Sequence, residues 1–216
     1  MKNLFPLSLV VMLLLTACAN HREGKIWKDV KAQCLRDPLV NQLVLVKGTE
    51  GSRAEVEFYH RKGQAWQLAE SGPAYIGKEG PGKEREGDMK TPEGEFGVRT
   101  AFGILPNPGT VMPYLTITPE LYACSDDCEY YNRIIPAAAL GHKCGGEHLV
   151  KCVPHYNYGL EMNYNAENIY PRGSAVFFHC YGTKEYTEGC VAVEEHFMRR
   201  ILQESDEHLV ISIHRK

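Results

Sequence analysis

The segment that most constrains how this chain can fold spans residues 172–193, where a strand pattern is followed by a polar turn and a second apolar run. In the first half, Val176, Phe178 and Cys180 share one face of the pattern and His179 lies on the other. Neighbouring side chains of a strand point to opposite sides. One face of this strand is therefore expected to enter a core, while the other carries an imidazole at the strand end.

The polar turn at residues 182–188 returns the chain towards that strand end, and Gly189 and Cys190 begin the second apolar run. This order predicts a thiol beside His179, and an adjacent imidazole is the usual means of lowering a thiol pKa. Gly189 lacks a Cβ, so its backbone can approach a substrate and present N–H groups to an oxyanion. The pattern indicates an acyl-transfer site, with a buried histidine and a half-cystine as the alternative.

The chain contains three ordered blocks, of which the first reads Gly173-Ser174-Ala175-Val176-Phe177-Phe178-His179, followed by Thr187-Glu188-Gly189-Cys190-Val191-Ala192. The second comprises Gly77, Gly80, Gly82-Lys83 and residues 85–94, and the third comprises residues 112–115, 131–132 and 163–165. These blocks resemble the L,D-transpeptidase catalytic-domain (YkuD-like) family. The resemblance extends over roughly residues 39–214, in the family's order.

The motif differs from better-known members at three positions. Glu188 and Ala192 replace a His and an Arg, and Cys180 stands where a Gly commonly follows the family's His. The Thr-x-Gly-Cys-Val-Ala pattern resembles a branch that includes both cross-linking enzymes and enzymes that trim or cut. The usual third catalytic residue is missing, and a backbone carbonyl near Cys180 is the candidate for orienting His179.

The resemblance implies a mainly β fold, either a β-sandwich or a bent mixed sheet with one or two short helices. It also implies a cell-wall enzyme in which Cys190 attacks a peptidoglycan stem peptide, His179 carries the proton, and backbone N–H groups at Gly189 and Cys190 hold the oxyanion. The thioester then passes to an amine, as in an L,D-transpeptidase. The alternatives are an L,D-carboxypeptidase or amidase, including one that frees a wall-attached protein, and a non-catalytic wall-binding lipoprotein. No metal or organic cofactor is required.

Four residues within the matching region are candidate substrate contacts, namely Arg85, Tyr114, Asn165 and Thr187. Arg85 belongs to a loop at residues 77–94 whose glycines and cations suit a carboxylate-bearing ligand. Arg85 and Asp88 are also interpretable as structural organisers of that loop. Asn165 ends an aromatic, Asn-rich stretch that is consistent with a strand bordering a groove for an extended peptide.

Length and charge restrict the partners. A chain of 216 residues suits one domain, and a net charge of −3 with no basic stripe argues against nucleic acid as a partner. Residues 1–17 contain a basic start and an apolar run too short to span a bilayer comfortably. The run ends at Cys18 in a sequence that resembles a lipoprotein cleavage box. We therefore expect an exported lipoprotein, anchored through a lipid on Cys18 in the periplasm, with Ala19 favouring the outer membrane.

The chain after the leader divides into a tether with a short helix at residues 18–38 and a catalytic domain at residues 39–216. Ile26, Val30 and Cys34 recur every four residues and predict the apolar face of the helix. Strands are predicted at residues 39–46, 54–60, 66–68, 95–100, 114–118 and 209–214, with a helix at residues 194–205.

A Cys-rich insertion is expected at about residues 120–157. With Cys18 lipidated and Cys190 free, the remaining cysteines are Cys34, Cys124, Cys128, Cys144, Cys152 and Cys180. An exported protein meets oxidising conditions, so two disulfides in the insertion are expected, although the sequence does not choose their pairing. Cys and His are also zinc ligands, and a zinc-dependent hydrolase using this insertion is the alternative, although the spacing matches no common zinc finger.

Overall fold

The computed structural model describes residues 24–216. The strands are β1 (Gln42–Gly48), β2 (Arg53–Lys62), β3 (Ala65–Tyr75), β4 (Gly94–Phe96), β5 (Val98–Gly103), β6 (Tyr114–Thr116), β7 (Leu121–Cys124), β8 (Arg133–Pro136), β9 (Glu147–His148), β10 (Gly159–Met162), β11 (Phe177–Cys180), β12 (Val191–Val193) and β13 (Val210–Arg215). The helices are α1 (Lys25–Cys34), α2 (Glu195–Glu204) and a 3-10 helix (Leu149–Lys151). None of these helices is long and apolar enough to cross a membrane. The expected signal peptide at residues 1–17 and the lipidation site at Cys18 lie outside the described residues.

Ten strands form one curled mixed sheet in the order β4-β13-β1-β2-β3-β12-β11-β10-β5-β6. β1 pairs antiparallel with β2 and parallel with β13, and β11 pairs parallel with β12. The prediction of a mainly β protein is confirmed, in its bent mixed-sheet form.

Helix α2 packs against the sheet through its apolar face. Its buried side chains are Phe197, Met198, Ile201 and Leu202. They belong to the largest core cluster, which also contains inward-facing residues of β1, β2, β11 and β13. The helix predicted at residues 194–205 is confirmed, because apolar side chains at helical spacing are the ones that the sheet covers.

Two local predictions need correction. The single strand predicted at residues 95–100 is two strands, because the chain breaks at Gly97, whose N–H donates to Asn163 Oδ1 at 2.9 Å. β4 then pairs with β13, whereas β5 pairs with β10. In α1 the buried face carries Trp27 with Val30 and Cys34, while Ile26 is 40% exposed. The Trp27 side chain therefore takes the buried position that the four-residue spacing predicts for Ile26.

The insertion folds as a separate three-stranded sheet in the order β8-β7-β9. The expected disulfides are not formed there, since all seven cysteines in the described part of the chain are free. Cys124 Sγ and Cys128 Sγ lie 3.9 Å apart, far beyond the S–S bond length of about 2.05 Å. Cys34 and Cys180 are buried in separate apolar clusters of the main sheet.

Candidate active site

The parallel pairing of β11 with β12 brings the predicted thiol and imidazole into one cavity. His179 in β11 pairs with Ala192 in β12, and Cys190 immediately precedes β12. Phe178 faces the main core, whereas Phe177 packs in a second cluster against Cys190. The alternation predicted for this segment is therefore confirmed. Both Cys190 and His179 line the same cavity.

The Cys190 thiol is held by two backbone groups. Its S–H donates to the Ala175 carbonyl at 3.3 Å, and the Phe177 N–H donates to its sulfur at 3.3 Å. Burial, followed by the nearby Glu147 carboxylate, raises the pKa of Cys190 to about 12. The Phe177 N–H and the Lys83 ammonium oppose this rise but do not reverse it. The thiol is therefore protonated at neutral pH.

His179 is oriented by a main-chain carbonyl. Its Nδ1 lies 2.7 Å from the Cys180 oxygen, and a carbonyl accepts only, so Nδ1 carries the proton and Nε2 is the basic nitrogen. The side chain is 4% exposed and packs edge-on against Tyr156. Burial, with a smaller contribution from His155, lowers the pKa of His179 to about 4 even though the hydrogen bond to Cys180 opposes the shift. The expected orienting carbonyl is therefore that of Cys180 itself.

These two residues do not form a thiolate–imidazolium pair in this structure. The Cys190 thiol donates to Ala175, and no hydrogen bond joins it to His179 among those found in residues 24–216. His179 is not among the groups that shift the pKa of Cys190, because burial dominates both groups and favours their neutral forms. A neutral imidazole is still able to accept the thiol proton during attack.

Gly189 is required by close backbone packing. Its φ is 151°, and a Cβ there would lie 3.0 Å from the Lys90 carbonyl oxygen and 3.3 Å from Lys83 Nζ. Its N–H donates to Thr187 Oγ1 at 3.2 Å, so this N–H is already engaged. The Thr187 hydroxyl in turn donates to the Cys190 carbonyl at 2.6 Å. Thr187 lines the cavity, but its hydroxyl points to the backbone of the nucleophile.

A second threonine, which sequence analysis missed, fixes the same carbonyl. Thr91 is fully buried, and its hydroxyl donates to the Cys190 carbonyl at 3.1 Å while accepting the Gly77 N–H at 2.8 Å. The loop at residues 77–94 is thereby tied to the nucleophile. The Thr91-Pro92 step within the second family block is the sequence signal that could have identified this residue.

Lys83 is the cation nearest to this backbone, and sequence analysis gave it no specific role. Its ammonium pairs with Asp88 at 2.9 Å, and both side chains are at least nine-tenths buried. Burial raises the pKa of Asp88, but N–H groups of Arg85 and Glu84 and the Lys83 ammonium outweigh it and hold the pKa well below its usual range. A fixed positive charge beside Gly189 can stabilise negative charge that develops on sulfur or on a carbonyl oxygen.

The segment before β11 holds a strained residue against the nucleophile. Ala175 has φ 50°, a conformation uncommon for a residue with a side chain. Its N–H donates to Asn132 Oδ1 at 3.1 Å, and its carbonyl accepts the hydrogen bond from the Cys190 S–H. Nearby, the Gly173 N–H donates to the Tyr131 hydroxyl at 2.8 Å. The Tyr131–Asn132 pair therefore positions the carbonyl that contacts the thiol.

The cavity has a volume of about 580 Å³ and is lined by both the main sheet and the insertion. Charged side chains of both signs surround it, namely Lys83, Lys151 and Lys184 with Glu86, Glu147 and Glu188. His155 and Tyr156 lie next to His179, with ring centroids 5.9 and 5.4 Å from its own. Such a lining suits a substrate that carries both carboxylate and ammonium groups.

Comparison with known families gives the same assignment. A family model described as YkuD, the L,D-transpeptidase catalytic domain, matches residues 44–208. The chain belongs to the L,D-transpeptidase catalytic-domain family. The family acts on peptidoglycan stem peptides.

Two solved structures are similar to this L,D-transpeptidase domain. Bd1075 of Bdellovibrio bacteriovorus is 17% identical in sequence, with a TM-score of 0.45. The aligned region covers 81% of this chain and 48% of the Bd1075 chain. Pgp2 of Campylobacter jejuni, described as a helical cell shape determining protein, shares 14% identity at a TM-score of 0.43, covering 88% and 55%. The chain thus spans about half the length of these proteins. Comparison with curated proteins finds no match.

Three of the four candidate substrate contacts in this L,D-transpeptidase domain lie outside the lining of the cavity. Arg85 is exposed, and its N–H serves the Asp88 carboxylate. The Tyr114 hydroxyl donates to the Leu105 carbonyl at 2.8 Å. The Asn165 amide bridges the carbonyls of Ile169 and Gly173. These residues shape loops, and only Thr187 reaches the cavity.

Proposed function

We propose that this protein is an L,D-transpeptidase that forms a thioester between Cys190 and a peptidoglycan stem peptide and passes it to an amine. The observation that carries the proposal is the shared cavity of Cys190 and His179, in which the tautomer of His179 leaves Nε2 free to accept a proton. Family membership supports the substrate class.

In the first half-reaction, the Cys190 sulfur attacks the carbonyl carbon of the bond between the diamino acid and D-Ala. An S–C bond forms as the thiol proton moves to Nε2 of His179. The C–N bond then breaks, and the imidazolium gives its proton to the leaving amine of D-Ala. In the second half-reaction, an amine of another stem attacks the thioester carbonyl and forms a C–N bond while His179 takes up the amine proton. The C–S bond then breaks, and the imidazolium returns its proton to the Cys190 sulfur, which regenerates the thiol.

The surroundings of Cys190 support this sequence of steps. Lys83 provides a fixed positive charge beside the Gly189–Cys190 backbone, where the oxyanion would develop. Because the Gly189 N–H already serves Thr187, we assign the main oxyanion role to the Cys190 N–H and the Lys83 charge. Cations and carboxylates in the lining suit the carboxylates and free amine of stem peptides.

The proposal is tested by incubating purified tetrapeptide muropeptides with the mature protein and with its Cys190→Ala variant, followed by mass spectrometry. A cross-linked dimer lacking one D-Ala, formed only by the wild type, is the expected result. A tripeptide monomer alone would assign an L,D-carboxypeptidase instead. No product, with Cys190 shown to be free and reduced, would favour cleavage of another wall bond, such as one to an attached protein, or wall binding alone.

Attachment to the membrane is part of the same proposal. The sequence ending at Cys18 supports export and lipidation, with the domain facing the periplasm from the outer membrane. Metabolic labelling with a fatty-acid probe should mark the wild type and not a Cys18→Ala variant. Fractionation of the two membranes should then find the labelled protein with the outer membrane. An unlabelled wild type would rule out the lipid anchor.

A further inference from the structure

Four metal-ligating side chains converge in the insertion, away from the nucleophile. Cys124 ends β7, Cys128 follows in the next turn, and His142 and Cys144 lie in the connection between β8 and β9. We propose that the three thiols and the imidazole together bind one zinc ion, which holds the insertion in its folded form. This site is structural and differs from the zinc-dependent hydrolase considered from the sequence, since all four positions are protein ligands.

The three distances among Cys124, Cys128 and His142 match edges of a tetrahedral zinc site. Zinc lies about 2.3 Å from thiolate sulfur and about 2.0 Å from imidazole nitrogen, so a tetrahedron sets two sulfurs about 3.8 Å apart and sulfur and nitrogen about 3.5 Å apart. Here the sulfurs of Cys124 and Cys128 are 3.9 Å apart, and they lie 3.5 and 3.8 Å from His142 Nε2. The ligand atoms of Cys124, Asp126, His142 and Cys144 all lie within 4.8 Å of one another, and Cys128 joins this group through its contacts with Cys124 and His142.

Disulfide bonding does not account for this cluster. It contains three thiols, so any internal S–S bond leaves one cysteine unpaired. It also uses neither the imidazole of His142 nor its approach to both sulfurs, since Nε2 lies 3.5 Å from Cys124 Sγ and 3.8 Å from Cys128 Sγ as well as 3.1 Å from Asp126 Oδ2. A zinc ion uses all four groups, and each S–H gives its proton to solvent as the S–Zn bond forms.

Backbone N–H groups point at two of the sulfurs, as expected for thiolate ligands. The Tyr130 N–H donates to Cys128 Sγ at 3.4 Å, and the Gly146 N–H donates to Cys144 Sγ at 3.3 Å. Both bonds come from the residue two positions after the cysteine. Donors of this kind stabilise the negative charge on a ligating sulfur and fix its direction.

The turn after Cys144 is shaped to bring its sulfur inward. A Cβ at Gly146 would overlap the Ala123 carbonyl, and a Cβ at Gly145 would lie 2.7 Å from Asp126 Oδ1. Asp126 Oδ2 accepts the Gly145 N–H at 2.9 Å and lies 3.1 Å from His142 Nε2. Because this oxygen is engaged with the turn, we assign Asp126 to supporting the site and Cys128 to the fourth ligand position.

A metal would hold the end of the insertion that carries the four ligands, and the active site would benefit from it. Ala123, Leu149 and Tyr156 of the insertion pack with the main sheet, whereas the buried cluster at the ligand end consists of Cys124, Ile135 and Ala137. This is a small apolar core for a three-stranded sheet, and small units commonly depend on a metal. The cavity wall includes Ala123, Ser125, Gly145, Gly146 and Glu147, which are neighbours of the zinc ligands. The ion would therefore fix one wall of the substrate cavity.

The proposal is tested by purifying the full-length mature protein without a chelator and measuring its metal content by inductively coupled plasma mass spectrometry. We expect one zinc ion per chain in the wild type, the same in Cys190→Ala and Cys152→Ser, and loss of most zinc in Cys128→Ser and Cys144→Ser. Because the Cys190→Ala variant lacks the nucleophile, zinc retention there is independent of the proposed acyl transfer.

A spectroscopic measurement covers the possibility that the cysteine variants do not fold. Cobalt exchanged into the wild type should give the visible bands of a tetrahedral site and a sulfur-to-metal charge-transfer band. Zinc absent from the wild type, with a disulfide mapped between any two of Cys124, Cys128 and Cys144, would overturn the proposal. Loss of zinc in Asp126→Asn but not in Cys128→Ser would overturn the ligand assignment.

Discussion

The thiol of Cys190 donates its hydrogen bond to the carbonyl of Ala175, at an Sγ–O distance of 3.3 Å. The nucleophile is therefore stored as a neutral thiol, with its proton directed away from the general base. Attack requires a change of hydrogen-bond partner, from the Ala175 oxygen to Nε2 of His179. Without substrate, the site favours the neutral forms of both Cys190 and His179. Substrate entering the cavity is therefore expected to bring about this change of partner.

Cys190 should react slowly with an alkylating reagent in the absence of substrate. With a thiol pKa raised to about 12, the thiolate fraction near pH 7 is very small. We expect iodoacetamide to modify Cys190 at least about 100-fold more slowly than free cysteine, as measured by mass spectrometry of the peptide containing residue 190. A rate equal to or faster than that of free cysteine would show that a thiolate is already formed.

Activity should persist at mildly acidic pH. His179 must be neutral to accept a proton, and its lowered pKa of about 4 keeps it so well below the usual histidine range. We expect kcat/KM for a tetrapeptide muropeptide to fall only as the pH approaches about 4, rather than near 6.5. A fall centred near pH 6.5 in folded enzyme would contradict this.

The stability of the folded protein must be measured over the same pH range, because acid unfolding would also lower activity. The unfolded chain binds the His179 proton at about pH 6.5 and the folded chain only at about pH 4. Stability from this group is therefore present above pH 6.5 and declines as the pH falls towards 4. Circular dichroism at each pH separates this loss of folded protein from loss of the base.

Replacing Thr187 with Val should reduce both activity and stability. The variant loses the donor to the Cys190 carbonyl at 2.6 Å and the acceptor for the Gly189 N–H. We expect kcat to fall about tenfold and unfolding free energy to fall by about 1–2 kcal/mol, measured by urea denaturation. Thr187→Ser keeps the hydroxyl and is the matched control. A kcat that is unchanged in Thr187→Val, or that falls only in Thr187→Ser, would show that the methyl group and not the hydroxyl matters.

Replacing Asn132 should release the Ala175 carbonyl from the thiol. Asn132 itself has φ 58°, so Asn132→Ala adds backbone strain to the loss of the amide, whereas Asn132→Gly loses the amide alone. We expect both variants to raise the alkylation rate of Cys190, with Asn132→Ala about 1 kcal/mol less stable than Asn132→Gly. An unchanged alkylation rate would show that Ala175 holds its conformation without the Asn132 amide.

Removing the Lys83 charge should impair both folding and chemistry. Lys83→Met leaves the Asp88 carboxylate buried without its partner, and we expect a loss of about 3–5 kcal/mol in unfolding free energy. Adding Asp88→Asn should restore part of that stability. If Lys83 stabilises developing negative charge, kcat should remain low in the double variant. Recovery of kcat together with stability would assign Lys83 a purely structural role.

The chemistry-bearing part of the site could be predicted because it is local. Cys190 and His179 lie on one strand–turn–strand unit, whose alternation and turn are visible in the sequence. Arg85, Tyr114 and Asn165 could not be placed in this way, because their distance from the cavity depends on loops folded by long-range hydrogen bonds. The protonation state of Cys190 was equally hidden, since burial by residues distant in sequence sets its pKa.

The fold followed a similar division. The amphipathic pattern of α2 located that helix within one residue of each end, because its apolar face alone determines its packing. The prediction of a single strand at residues 95–100 was wrong. An apolar pattern does not show which strands β4 and β5 pair with, and the two pair with different neighbours. The cysteines of the insertion were known from the start, but the convergence of His142 with three of them required the folded connections.

The position of β13 between β1 and β4 has a consequence for how the protein is made. Leu43 in β1 pairs with Val210 in β13, so β1 receives one of its two neighbours only after nearly the whole domain has been synthesised. Until then, the β1–β2 hairpin presents an unpaired strand edge to any other extended chain. Refolding yield should therefore depend steeply on protein concentration, and a chaperone that covers this edge would protect the chain until β13 has been made.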